Sequence, residues 1–350
     1  MKNRSQTRKV QVGSLQLGGQ NKVLIQSMCN IKTSKVDEVV KQINELAALG
    51  ADLMRVSIMD EADAAAIKEI KKQIRIPLIA DIHFDYRLAL LAIENGIDKI
   101  RINPGNIGSI DKISAVVTAC KAHHIPIRIG VNSGSLDKTV HNYDVHYTAS
   151  QLVASAQKHV KILEDLDFHD IVISLKGSDV LETIAAYRMA ANTFPYPLHL
   201  GITEAGTKEV GIIRSVAGLA PLLVDGIGDT IRISLTADPK EEIIAAKRLL
   251  HDVGLYPDYP TLISCPTCGR TEVNVQDLAE KTLAYLEKIN KPITVAVMGC
   301  VVNGPGEAHN ADIGLAGGRH EWVLFKKGKV IRTVKESDAF AALIAEIDKM

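Results

Sequence analysis

From residue 23 to residue 236 one pattern recurs eight times: a short apolar run, a polar loop, an amphipathic stretch of helical period, then another apolar run. The runs cover residues 23–28, 52–58, 76–83, 99–103, 125–132, 170–176, 198–204 and 230–236. Strands this continuously apolar are buried on both faces, the situation of parallel strands covered outside by helices. Eight strand–helix units suit a closed barrel, for which about 250 residues is typical. An open doubly wound sheet would carry a glycine fingerprint after its first strand, and none follows residue 28. The expected class is therefore α/β, a TIM-like (β/α)8 barrel.

Local signals punctuate the repeats. Gly50 and Gly96 follow helical stretches and suit left-handed helix ends. Ser34 with Asp37 resembles a capping box, Asp60 can cap the next helix, and Pro239 after Asp238 marks a first turn. Residues 133–148 form the longest and most polar of the strand-to-helix loops, either a lid or a solvated insertion. Past the eighth helix, Leu255-Tyr256-Pro257-Asp258-Tyr259-Pro260 reads as a linker. Residues 1–257 are expected to form a substrate-binding barrel. Residues 258–350 are expected to form a small α+β domain. It has helices near 276–289 and 337–348 and strands near 293–298, 322–325 and 330–334.

Lys+Arg and Asp+Glu balance at 41 each, so bulk charge gives no reason to expect nucleic acid or an anionic membrane. No apolar run reaches membrane-spanning length, and no apolar h-region follows the polar start. Five cysteines with one C-x-x-C pair point to metal or redox work in a reducing, cytoplasmic setting rather than to a disulfide frame.

In such a barrel, function gathers at the C-terminal ends of the strands, and residues two apart share a face. The ends carry Arg55 and Ser57, Asp81 and His83, Arg101 and Asn103, Arg128 and Asn132, Ser174 and Lys176, Glu204, then Arg232 and Ser234. Five of these are cations (Arg55, Arg101, Arg128, Lys176, Arg232) against the carboxylates Asp81 and Glu204. Cations crowded into a concave mouth are costly without an anion, and guanidinium forks match phosphate oxygens. A small substrate with at least two phosphates is expected, with Glu204 the first candidate for acid–base work and His83 the second.

Cys265, Cys268 and Cys300 form a second constellation. The C-x-x-C turn and a distant third thiol can hold one metal centre and leave one position for another ligand. Two readings stay open on spacing: a structural zinc completed by His309 or His320, or an iron–sulfur cluster. Cys120 lies on an apolar helix face and reads as core, whereas Cys29 is undecided between pocket and packing.

The segments Ser264-Cys265-Pro266-Thr267-Cys268 and Gly299-Cys300-Val301-Val302-Asn303-Gly304-Pro305-Gly306-Glu307 resemble the bacterial 4-hydroxy-3-methylbut-2-enyl diphosphate synthases of the non-mevalonate isoprenoid pathway. So do Gln26-Ser27-Met28, Ala80 to Arg87, Arg101 to Asn106 and Gly201 to Gly206. The resemblance implies a TIM-like barrel with a C-terminal domain like those of sulfite and nitrite reductases. It implies a [4Fe–4S] cluster held by Cys265, Cys268, Cys300 and Glu307, with Glu204 as proton donor and Asn303 contacting a substrate hydroxyl. It implies a homodimer with a composite site, a flavodoxin or ferredoxin donor, and reductive opening of 2-C-methyl-D-erythritol 2,4-cyclodiphosphate. The residue-based alternative is a barrel hydrolase or transferase on a phosphorylated substrate, with a zinc-stabilised appendage.

Overall fold

The structure, a computed structural model, describes residues 3–132, 145–300 and 308–350. It divides into two compact units, Met1–Leu255 and Tyr256–Met350.

Eight parallel strands build the first unit: β1 Leu24–Met28, β2 Leu53–Ser57, β3 Leu78–Asp81, β4 Lys99–Ile102, β5 Ile127–Asn132, β6 Ile171–Lys176, β7 His199–Leu200 and β8 Thr230–Ile231. Helices follow them in turn: α1 Val36–Leu49, α2 Glu61–Lys71, α3 Tyr86–Glu94, α4 Ile110–His123, α5 Val145–Asp165, α6 Val180–Thr193, α7 Lys208–Val224 and α8 Pro239–Asp252. The hydrogen-bonded order is β6-β5-β4-β3-β2-β1-β8-β7, and a parallel bridge between Ile173 and Leu198 brings the two ends together. The expected (β/α)8 barrel is the fold. The Ser133–Asp144 part of the expected lid lies outside the described residues, and its last four residues open α5.

Register fixes which side chains enter the barrel. Met28 pairs with Arg55, Arg55 with Ile79, Ile79 with Lys99, and Asp81 with Arg101, which pairs with Arg128. Paired residues in parallel strands face the same side, so this row alternates with the outward row that meets the helices. At the N-terminal end the antiparallel hairpin of Val10–Val12 and Leu15–Leu17 closes the barrel. Its Val10, Val12 and Leu17 pack on Leu24, Leu53, Ile79 and Val172, all fully buried or nearly so. Each such side chain removed from water contributes about 1.5–3 kcal/mol. The apolar plug leaves the C-terminal mouth as the barrel's polar end.

Two local expectations need revision and one holds. Strands β7 and β8 are only two residues long; after β7, Gly201 and the turn through Glu204 take the chain out of the ladder. Ser34 does not cap α1; its N–H donates to Asp63 Oδ1 at 2.8 Å and Lys35 occupies the N-cap without a capping side-chain bond. Asp60 and Asp238 do cap, accepting from Asp63 N and Lys240 N.

The second unit holds a five-stranded sheet in chain order: β9 Thr261–Ser264, β10 Thr294–Met298, β11 Ile313–Gly317, β12 Glu321–Lys326 and β13 Lys329–Lys335. The first three are parallel and the last two antiparallel. Helices α9 Val275–Ile289 and α10 Ala339–Ile347 cover one face over a core including Trp322, Leu286, Val295, Leu315 and Leu343. Strands β9 and β11 have no counterpart in the sequence reading. The residues at 255–260 are less free than a linker, since Tyr259 is buried and its hydroxyl donates to Glu287 at 2.6 Å.

Candidate active site

The polar interior is organised around Asp81, at the end of β3. Its Oδ1 accepts from Arg101 Nη1 at 3.2 Å, while its Oδ2 lies 3.4 Å from His83 Nε2 and 3.8 Å from Arg55 Nε. Burial pushes this carboxyl up, but Arg55, the His83 bond, Arg101 and Arg128 together hold it well below the usual carboxylate range. Asp81 is an anion at any working pH.

The cations stand around it. Arg128 is fully buried and its Nη1 donates to Gln26 Oε1 at 3.3 Å. Arg101 owes its place to Gly130, where a Cβ would come within 2.6 Å of its Nε. Gly201 does the same for Lys176, whose Nζ would lie 2.8 Å from an added Cβ. Arg55 sends Nε and Nη2 toward Met28 Sδ at 3.1 and 2.8 Å, and Arg232 sends Nη1 to the same sulfur at 3.6 Å. Burial, then the mutual repulsion of Arg232, Arg55, Arg128 and Arg101, drives the Lys176 ammonium well below its ordinary range.

The expected mouth residues are thus largely brought together, with three differences. Glu204 does not point into this cluster; its side chain is exposed and it sits in a left-handed conformation, φ 53°, within the turn that follows β7. Arg214 Nη1 donates to the Glu204 and Ala205 carbonyls at 3.4 and 2.9 Å, which holds that turn. A non-glycine residue held at positive φ needs such surroundings to persist. His83 and Ser234 lie beyond their strands, both partly exposed to solvent. Asn103 is buried just past β4, and Asn132 ends β5 opposite Lys176.

The second carboxylate of the interior is Glu242, from α8, which the sequence reading missed. It is buried and bonds Arg232, Ser27 and the Leu235 amide. Also missed were Lys99 and His199, both fully buried inside the barrel. Lys99 lies two positions before Arg101 on β4, so its parity was the available signal. Lys99 Nζ, Arg128 Nε, Gln26 Nε2 and His199 Nε2 find no hydrogen-bond partner among the described residues. Burial and the neighbouring cations push both Lys99 and His199 well below their ordinary values. The interior is therefore rich in donors and poor in anions.

In the second unit, Cys265 follows β9 and Cys300 follows β10, and these adjacent parallel strands finish at the same end of the sheet. The Gly299 amide donates to Cys265 Sγ at 3.0 Å, which ties the first thiol to the residue before the third. Cys268 is exposed, and bonds from the Arg270 backbone and then its guanidinium lower its thiol. All three are free thiols, the soft donors that iron–sulfur clusters and zinc take. Among the described residues no three His, Cys, Asp or Glu side chains already close on a point. Asn303 and Glu307 lie outside the described residues. Cys29 is buried with its thiol pushed up to about 12 by burial, and Cys120 is fully buried, so both pack as small apolar groups.

A family model described as the GcpE TIM-barrel domain matches residues 7–247, and one described as the GcpE protein C-terminal domain matches residues 261–349. The chain belongs to the GcpE family. The resemblance drawn from the motifs is borne out by GcpE relatives that align along nearly the whole chain. A protein of Lysinibacillus sphaericus, described as 4-hydroxy-3-methylbut-2-en-1-yl diphosphate synthase (flavodoxin), is 56% identical over 347 residues, 99% of this chain and 94% of that protein. One of Bacillus subtilis with the same description is 56% identical over 345 residues, 99% of this chain and 92% of its own length. Among solved structures, dihydropteroate synthase from Stenotrophomonas maltophilia superposes with a TM-score of 0.54 at 15% identity, over 71% of this chain and 99% of that one. That likeness shows the barrel fold and nothing of the chemistry. None of the helices among the described residues is long and apolar enough to cross a membrane.

Proposed function

We propose that this GcpE chain carries out the two-electron reductive ring opening and dehydration of 2-C-methyl-D-erythritol 2,4-cyclodiphosphate to 4-hydroxy-3-methylbut-2-enyl diphosphate. The observation that carries the reading is the charge of the mouth. Arg55, Arg101, Arg128, Lys176 and Arg232 gather there, and Asp81 and Glu242 are the carboxylates bonded to them among the described residues. A cyclic diphosphate supplies the missing anions, and the relatives are described as synthases of a diphosphate.

The barrel residues divide the work. Asp81 spaces Arg55 and Arg101, so two guanidinium forks stay apart and face one ligand. Arg128, Lys176 and Arg232 complete the diphosphate site. Asn103, Ser234 and His83 provide further donors and acceptors at its edge, and Asn132 is a further substrate-binding residue. Desolvation inside the mouth strengthens each of these contacts relative to water. Glu204, on its held turn, donates the proton to the hydroxyl that leaves as water, and Asn303 contacts a substrate hydroxyl.

Cys265, Cys268 and Cys300, with the Glu307 carboxylate, would hold a [4Fe–4S] cluster. The Gly299 amide bonded to Cys265 Sγ suits a thiolate ligand. When bound, such a cluster supplies two electrons, one at a time, and a Lewis-acidic iron. Reduced flavodoxin, or a ferredoxin, is the donor, and a homodimer with a composite site is the working form. The barrel unit, residues 1–257, is the substrate domain, and residues 258–350 are the cluster domain.

Iron and acid-labile sulfide counts on anaerobically purified protein test the cofactor assignment. About four of each per chain are expected; stoichiometric zinc without sulfide would replace it with the structural-zinc reading.

A further inference from the structure

We infer that Glu242 is a positioning residue that sets one side of the substrate site. The inference rests on the reading of the mouth as a diphosphate site. Glu242 belongs to α8, on the outside of the barrel, yet the residue is only 3% exposed and its carboxylate reaches the polar interior. Its Oε2 accepts from Ser27 Oγ at 2.7 Å and from Arg232 Nε at 3.3 Å. Its Oε1 accepts from Arg232 Nη2 at 3.3 Å and from the Leu235 amide at 3.1 Å. Four donors from β1, the β8 end and the following loop thus converge on one carboxylate.

The arrangement has two consequences for the site. The guanidinium of Arg232 is gripped on its Nε side. Its Nη1 is left against Met28 Sδ at 3.6 Å, a weak acceptor that a phosphate oxygen displaces at little cost. The Leu235 bond also fixes the loop carrying Ser234. The next residue, Thr236, donates its amide to Gly206 O at 3.0 Å and bridges Thr207. That strip of backbone joins the β8 loop to the turn that holds Glu204 at φ 53°. One buried carboxylate therefore places an anion-binding arginine and braces the turn of the proton donor. Removing it loosens Arg232 first, since that contact is direct, and the Glu204 turn second.

Two measurements on the full-length holoprotein decide the matter. The Arg232 side-chain Nε–H resonance, assigned by its loss in Arg232→Lys, should exchange slowly with solvent in the wild type. It should exchange at least ten-fold faster in Glu242→Gln, compared at a temperature where both proteins are folded. In calorimetry with inorganic pyrophosphate as the probe, Glu242→Gln should raise Kd about ten-fold, and Arg232→Gln should raise it to a similar extent. The double variant should be no worse than Arg232→Gln alone, since linked residues fail to add. Unchanged exchange in Glu242→Gln, or additive losses in the double variant, would overturn the role given to Glu242. If the wild type itself ignores pyrophosphate, the diphosphate reading of the mouth fails, while the exchange measurement still decides whether Glu242 anchors Arg232.

Discussion

Replacing Asp81 by asparagine removes the anion around which the mouth is built. Two cations lose their counter-charge, Arg101 at 3.2 Å and Arg55 at 3.8 Å, and His83 loses its carboxylate partner at 3.4 Å. Breaking a buried ion pair from one side costs about 3–5 kcal/mol, because the remaining charge stays buried and unpaired. Asparagine keeps one acceptor oxygen, so the lower end, about 3 kcal/mol, is expected. For a unit of this size each kcal/mol moves the midpoint by about 2–4 °C, which gives a drop of roughly 6–12 °C. The sign with pH follows from the depressed carboxyl of Asp81 in the folded protein. Its stabilisation is fully present above the unfolded carboxylate value near ~4 and is lost only as pH falls through the lower folded value. The difference between Asp81→Asn and wild type should therefore be constant from pH 6 to pH 8. Pyrophosphate should narrow it, because the ligand restores negative charge to the cluster and stabilises only the folded state. Scanning calorimetry at several pH values with and without pyrophosphate reads all three. A midpoint within about 2 °C of wild type, or a gap that pyrophosphate leaves untouched, would refute the electrostatic account.

Other expectations can be checked in the same protein. Gly130→Ala puts a Cβ within 2.6 Å of Arg101 Nε, so the guanidinium must shift and pyrophosphate affinity should fall at least several-fold in calorimetry. Lys99→Met removes a fully buried, unpartnered ammonium and should raise stability toward urea by about 1–2 kcal/mol at pH 7. Because the folded Lys99 value is depressed, that gain should shrink as pH rises toward the ordinary lysine range near ~10, in a urea series run from pH 7 upward. Glu204→Gln alters an exposed side chain, so the melting curve should be unchanged while turnover falls by about 10²-fold or more.

The barrel was legible in the sequence because eight buried strands leave eight apolar runs, and parity along them brings Arg55, Asp81, Arg101, Arg128 and Lys176 together. The same logic stopped where the ladder stops. Strand β7 ends at Leu200, so parity said nothing true about Glu204, whose exposure is set by a turn held through Arg214 and Thr236. Glu242 was invisible for a different reason: on α8 it reads as one more charged residue near a helix start, and only the packing of α8 against β1 and β8 turns it inward. Lys99 opens the apolar run at residues 99–103, and its spacing from Arg101 places it inside. In the second unit, strand β11 is short and its glycines, Gly314 and Gly317, hid it among loop residues. The cysteine pattern, by contrast, was informative at once, since few chemistries need a C-x-x-C turn and a third thiol from a neighbouring strand.

The central claim is that a cationic barrel and a three-thiol domain serve one reductive reaction on a cyclic diphosphate. The direct test is anaerobic incubation of the purified protein with 2-C-methyl-D-erythritol 2,4-cyclodiphosphate and reduced flavodoxin, followed by phosphorus NMR. The account predicts that the cyclic diphosphate signals give way to those of a linear allylic diphosphate, and that Cys300→Ala abolishes the change. A protein with its iron and sulfide in place that leaves the cyclic diphosphate intact, or a Cys300→Ala variant that still converts it, would contradict the account.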